Sequence, residues 1–464
     1  MAAATSSPGA LERRFGLRER GTNVRTEVVA GITTFMTMAY ILFVNPTILG
    51  GPTGLPFAQV LTVTALVAGV MTIAMGGVAN YPFAIASGLG LNAVVAFQLV
   101  GAQGLTFPEA MGVVVTEGLL ITALVLTGFR EAVLNAIPLT LKKAIGAGIG
   151  LFITIIGFAS SGLVVQGEGT PLTRGNVDSA RIAVFVVGLL LTAFLVARRT
   201  KGALLYGILG TTLLAIAVNL GAGGQLWTSV GPGVARLPAQ VVALPDFGLL
   251  GQFSFGYLAK LGLLSAVLAV FTLMLADFFD TMGTAIALGN EAGFLDERER
   301  LPGVNRVLLV DSVAAVAGGA ASASSATTYI ESASGIAEGG RTGLTSLVTG
   351  VLFLLALFLS PLAGVIPPEA TAPALVLVGF LMLSVTRELE WDDYTVAIPA
   401  FLTMVTMPFT YSITDGIGAG FVSYTVIKLA TGRFRDVHWM MAVASVAFVV
   451  YFAIAPLSRL LGLG

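Results

Sequence analysis

Apolar runs of membrane-spanning length recur along almost the whole chain, and this limits what it can fold into. They lie near 27–49, 58–78, 109–129, 143–164, 180–197, 203–221, 258–290, 303–321, 342–365, 371–386, 394–411, 414–431 and 437–458. About 20 consecutive apolar residues cross a bilayer core as a helix. Hydrocarbon offers backbone groups no water to bond, so only helices and closed barrels span it. The runs therefore predict an all-α polytopic membrane protein. Composition agrees: 56% of the 464 residues are hydrophobic and 11% charged, where a soluble domain is about 25% charged. A formal net charge of −1 argues against a general nucleic-acid binder. The absence of cysteine excludes disulfides and thiolate chemistry, and a single histidine, His438, excludes a histidine-rich metal site or histidine relay. No cofactor is expected. The polar, basic start "MAAATSSPGALERRFGLRERGTNVRTE" lacks a short apolar core with a cleavage site. It reads as a cytoplasmic tail rather than a signal peptide.

Two further segments are apolar but broken by small and hydroxyl residues: "FAIASGLGLNAVVAFQLVGA" (83–102) and "SASSATTYIESASGIAEGG" (322–340). Each reads as an extended stretch feeding a half-length helix. Such backbone is tolerated at membrane depth only against protein or a wet cavity. The positive-inside rule tests whether they cross. With the N-terminus inside and both counted as crossings, Arg174, Arg181, Arg236 and Lys260 fall outside and Arg459 is unassigned. The other 19 of the 24 Lys and Arg residues then fall inside. Dropping either segment inverts everything after it and spoils the bias. The count predicts 14 crossings, with 437–458 left over. Each broken segment is the third of a group of seven. Asn92 and Glu331 follow Ser87 and Ala326 by five residues, at a common offset of 239. An odd-numbered repeat inserts upside down, and paired broken helices in inverted repeats are the pattern of secondary transporters.

The segment "LMLADFFDTMGT" holds two acids inside an apolar run. Asp277, Asp280, Thr281 and Thr284 stand at i, i+3, i+4 and i+7, so they share one helix face. A central acid costs about 2.5–3.5 kcal/mol on insertion scales, so that face meets a cavity or a partner helix, not lipid. "SSATTYIESASG" supplies Thr327, Thr328, Tyr329, Glu331, Ser332 and Ser334 at the second break. A half-helix starting there points its amides at the cavity beside the Glu331 carboxylate. Asn92, in "SGLGLNAVVAF", can donate and accept, as a neutral heterocycle requires; stitching two helices together is the plainer reading. Asp311, in "RVLLVDSVAAVAGG", reads as a supporting partner, part of a proton route, or structural. Glu117, in "VVVTEGLLI", leans to structural. "GAGIG" and "GIGAG" read as small-residue helix contacts, not nucleotide loops.

"ADFFDTMGT", "ATTYIES" and "GLGLN" together resemble the nucleobase permeases, in particular the AzgA-like adenine, guanine and hypoxanthine branch of the nucleobase:cation symporter-2 (nucleobase-ascorbate transporter-like) superfamily. The resemblance runs from "TEVVAGITTFMTMAYILFVNP" to "GIGAGFVSYTVIKLATGRFRD". It implies 14 segments in two inverted repeats of seven, with short strands before the half-helices of segments 3 and 10. Core segments would occupy 27–129 and 258–365, and gate segments 130–222 and 366–431. A tail covers 1–26, an extracellular loop 223–257 and an extra apolar segment 432–464. The resemblance assigns Asp277, Glu331, Tyr329, Asn92 and Thr281 to the substrate, and Asp280 and Asp311 to proton coupling or support. It implies a transporter and not an enzyme: a purine:H⁺ symporter of the cell membrane, with a cytoplasmic N-terminus, no nucleic-acid partner, and room for a homodimer. The uracil branch has a histidine where Thr281 stands, which favours the purine branch. The same fold carrying uracil, xanthine or a small anion is the alternative. A channel or an intramembrane protease fits the pattern less well.

Overall fold

A computed structural model describes residues 10–127, 137–167, 170, 172–227, 235–237, 240–296 and 301–460. Arg130, Arg298, Arg300 and the expected core–gate boundary at 129–130 lie outside the described residues. The chain is helical almost throughout. The first half comprises α1 (Ala10–Phe15), α2 (Val24–Met38), α3 (Ile41–Thr53), α4 (Phe57–Ala74), strand β1 (Ile85–Ser87), α5 (Leu89–Ala93, continued as a wider π-helical stretch to Ala102) and α6 (Phe107–Thr127). Then come α7 (Leu139–Ser160), a two-residue hairpin pair β2 (Val164–Val165) and β3 (Thr173–Arg174), α8 (Ala180–Ala197) and α9 (Ala203–Gly221). The second half comprises α10 (Tyr257–Leu261), α11 (Leu263–Glu291), α12 (Val304–Ala320), strand β4 (Ala326–Thr328), α13 (Ser332–Ala337), α14 (Gly343–Ala356) and α15 (Ser360–Ala363). It closes with α16 (Pro368–Leu383), α17 (Tyr394–Thr410), α18 (Ile413–Ala430) and α19 (Trp439–Leu460).

Among the described residues, nine helices are long and apolar enough to cross a membrane. Three apolar helices are shorter, at Leu89–Ala102, Tyr394–Thr410 and Trp439–Ala453. Both broken segments have the expected form, a short strand followed by a short helix. One feature differs from the sequence expectation. The first crossing is interrupted at Ala39–Tyr40, between α2 and α3. The Ala39 amide still bonds the Phe35 carbonyl at 2.7 Å, so the interruption is a local re-aiming and not a gap.

Two groups of helices pack mainly within themselves. Helices α2–α6 pack with α11–α14, and α7–α9 pack with α16–α18. The pattern repeats on exchanging the halves. α4 lies along α14 as α12 lies along α6, and α7 pairs with α16 where the halves meet. Small residues allow these approaches, as is usual where lipid gives helices no hydrophobic drive to associate. A Cβ at Gly69 would sit 2.6 Å from Leu354 Cδ2, and one at Gly118 would sit 2.5 Å from the Val316 amide nitrogen. The site lies in the first group, where the two broken segments meet.

Candidate substrate site at the crossed half-helices

Strands β1 and β4 pair antiparallel in the buried centre, with Ile85 opposite Thr328, Ala86 opposite Thr327 and Ser87 opposite Ala326. Ser87 and Ala326, the residues related by the offset of 239, thus face one another. The Gly88 amide extends the ladder to the Ser325 carbonyl at 2.9 Å, and the Tyr329 amide extends it to the Ala84 carbonyl at 2.9 Å. Two strands this short leave their outer edges unpaired, which is untenable at membrane depth. Side chains of the preceding helices cover them. The Thr72 hydroxyl accepts from the Ile85 amide at 2.9 Å and donates to the Ile85 carbonyl at 3.0 Å. Asp311 Oδ1 accepts from the Thr328 amide and from the Thr328 hydroxyl, each at 2.8 Å.

Glu331 closes the second break. The Tyr40 hydroxyl donates to its Oε1 at 2.6 Å, so the interruption between α2 and α3 brings a phenol to this carboxylate. The Glu331 carbonyl accepts from Ser334 Oγ at 2.7 Å. Tyr329 is buried, and its hydroxyl donates to the Ser87 carbonyl at 2.5 Å, which ties the two breaks together. Asp280, on α11, is exposed. It lies within electrostatic reach of Glu331, Asp311, Tyr40 and Tyr329. Asn92 is fully buried on α5, and neither atom of its amide has a hydrogen-bond partner among the described residues.

The other members of the expected α11 stripe turn inward. Asp277 is 1% exposed, Thr281 2% and Thr284 8%. The Thr281 hydroxyl donates to Asp311 Oδ2 at 2.6 Å, so Thr327 supplies the proton of its 2.7 Å contact with Thr281. Asp311 therefore accepts at least three hydrogen bonds, two from β4 and one from α11, as a carboxylate does. Asp277 and Glu117, from α6, are both buried and share one hydroxyl neighbour. The Ser325 hydroxyl points at both, 3.3 Å from Glu117 Oε2 and 3.4 Å from Asp277 Oδ2.

The structure thus brings Asp280, Tyr329 and Glu331 together around one break, with Asn92 on the companion half-helix. Asp277, Thr281 and Asp311 sit behind them. Sequence reasoning missed the roles of Tyr40, Ser325 and Glu117 in this cluster. Tyr40 and Ser325 carried no local signal. Glu117 did, as an acid inside an apolar crossing, but its partner, Ser325, stands 208 residues away. Chemically, the exposed side offers carboxylate acceptors, and the buried Asn92 amide behind it can both donate and accept.

The sequence model of the Xan_ur_permease family, described as a permease family, matches residues 25–418. The adenine permease AdeQ of Escherichia coli (strain K12) is 41% identical over 449 residues, which cover 96% of this chain and 97% of that protein. The guanine/hypoxanthine permease PbuG of Bacillus subtilis (strain 168) is 40% identical over 447 residues, covering 94% and 98%. Among solved structures, the transmembrane domain of the cyanobacterial bicarbonate transporter BicA superposes with a TM-score of 0.60 over 85% of this chain and 97% of that one, at 16% identity. Murine Slc26a9, an anion transporter in an inward-facing state, gives 0.62 over 93% and 74%, at 13% identity. These two share the fold.

Proposed function

The chain belongs to the Xan_ur_permease family and is a multi-pass membrane transporter, not an enzyme; on that premise we propose that it imports purine nucleobases across the cell membrane by proton symport. The observation that carries the purine assignment is the near-full-length identity of 40–41% to adenine and guanine/hypoxanthine permeases, two adenine and two guanine/hypoxanthine carriers among them. The site chemistry supports it. Asp280 and Glu331 accept N–H groups of the base, Tyr329 closes one wall, and Asn92 reads a donor–acceptor edge. A base lacking one of these partners leaves a buried polar group unpaired, which is the basis of selectivity. Facing carboxylates disfavour an anion as cargo, whatever the fold's other occupants carry.

Within this reading, Asp280 contacts the base and Asp277 supports from behind. The exposure of Asp280 and the burial of Asp277 favour that division. Thr281 and Asp311 hold β4 in register. The helices α2–α6 with α11–α14 act as the moving core, and α7–α9 with α16–α18 as the gate. The N-terminus lies in the cytoplasm, as the distribution of basic residues favours.

A thermal-shift titration of the purified protein with adenine, guanine, hypoxanthine and uracil tests the assignment. A purine should raise the melting temperature of the wild type, and Glu331→Gln should weaken that purine at least about tenfold, or about 1.4 kcal/mol. Equal stabilisation by uracil, or an unchanged response in Glu331→Gln, contradicts it.

A further inference from the structure

The turn between α8 and α9, residues 198–202, belongs to the second helix group yet reaches into the first. Its backbone is bent twice into the left-handed region, at Arg199 with a φ of 54° and at Gly202 with a φ of 72°. A residue with a side chain seldom adopts that conformation, and it persists only where the surroundings fix it. The bend makes two contacts across the boundary. It lays Gly202 on the end of α2, where an added Cβ would sit 3.3 Å from the Met36 carbonyl oxygen. It also presents Lys201 to Glu338, the residue that closes α13, and the two form an ion pair. Among the described residues, no other ion pair joins the two helix groups.

Both elements that the turn touches hold Glu331. Tyr40 follows Met36 by four residues and donates to Glu331 Oε1 at 2.6 Å. Helix α13 starts directly after Glu331 and ends at Glu338. The Thr37 and Ser334 hydroxyls, 2.8 Å apart, pin α2 and α13 to each other. These contacts lie toward the face that carries the N-terminal tail, where the Thr22 hydroxyl donates to the Gly339 carbonyl at 3.3 Å. We propose that Lys201 and Glu338 form a latch between the two helix groups, closing the path from the substrate site to that face. This rests on the transport reading above. A base held at Glu331 leaves toward the tail-bearing face only when α13 and the 198–202 turn separate, and that separation breaks the ion pair. The Lys201 side chain is 53% exposed and that of Glu338 31%. Exposed pairs shift an equilibrium by about fivefold at most. A contact of that size biases a moving boundary without freezing it. Lys201 is a positioning residue: it touches no base and acts through the half-helix that carries Glu331.

The chain has no cysteine, so spin labels can be attached at Ala337→Cys on α13 and Leu190→Cys on α8, both at exposed positions. Pulsed electron-resonance distances between them should show one dominant population when Lys201 and Glu338 are intact. Lys201→Gln and Glu338→Gln should each enlarge a longer-distance population by about two- to fivefold. Lys201→Arg should leave the distribution unchanged. The exchange of Lys201→Glu with Glu338→Lys should restore it, a rescue that a purely structural role of either side chain does not give. In a thermal-shift titration, Lys201→Gln should bind purine within about twofold of the wild type, because neither partner touches the base. Unchanged distances in both neutral variants, or a charge exchange that fails to restore them, overturns the proposal. So does a purine affinity lowered about tenfold or more in Lys201→Gln, which would place Lys201 in the site itself. A wild type that binds no purine overturns the transport reading, and with it the release step. That result is distinct because it appears before any substitution is made.

Discussion

At the scale of single residues, the site is divided between groups that face outward and groups that hold them. Asp311 illustrates the second kind. Its carboxylate satisfies the free edge of β4 and the Thr281 hydroxyl at once. Hydrogen bonds to a charged group contribute about 1.5–3 kcal/mol each. Asp311→Asn should therefore destabilise the protein by about that amount, seen as a lower melting temperature in detergent, and uptake should fall with it. Thr281→Ser should keep both properties, because the hydroxyl is what is used, whereas Thr281→Val should lose them. The α11 stripe was legible in the sequence as one polar face. Its internal division was not. Positions i and i+3 differ by about 60° around a helix, enough for Asp280 to meet the open side while Asp277 turns inward. Which edge faces which neighbour depends on α6 and β4, and both come from elsewhere in the chain.

At the scale of elements, the two broken segments were legible because charge bias demanded both as crossings. Their hydroxyl-rich composition also fits backbone that must be satisfied locally. The strand pairing itself was not readable, since the partners lie far apart in sequence and each strand has only three residues. The interruption that delivers Tyr40 was likewise hidden. "TFMTMAYILFVNP" is mostly apolar with no Gly or Pro at the junction, and Pro46 lies six residues beyond the break. Close helix contacts set how rigidly the broken segments are framed. Gly118→Ala would place a methyl 2.5 Å from a backbone nitrogen of α12, where neither side can move aside by rotating a side chain. It should cost about 1–3 kcal/mol of stability and displace Glu117. Gly146→Ala, on α7, meets nothing within 4 Å and should be neutral; paired thermal melts decide.

At the scale of the whole molecule, the proposed transport cycle has the two helix groups move against each other. Among the contacts that bridge them is Gln98, on the π-helical continuation of α5. Its amide nitrogen donates to the Thr414 hydroxyl, and its Oε1 accepts from the Ile413 amide at 3.1 Å and the Thr414 amide at 3.4 Å, at the start of α18. The chain has no cysteine, so a Gln98→Cys/Thr414→Cys pair can be oxidised without competing thiols. Oxidation should abolish uptake and reduction should restore it. Uptake that continues with the bridge intact would mean that these groups need not part. The central claim, that the crossed half-helices hold a purine which the protein carries with protons, is tested most directly by labelled-purine uptake into proteoliposomes under an imposed inward proton gradient. The account predicts accumulation by the wild type that collapses when the gradient is dissipated, and none in Asp280→Asn or Glu331→Gln. Wild-type accumulation that ignores the gradient, or full accumulation by either variant, contradicts it.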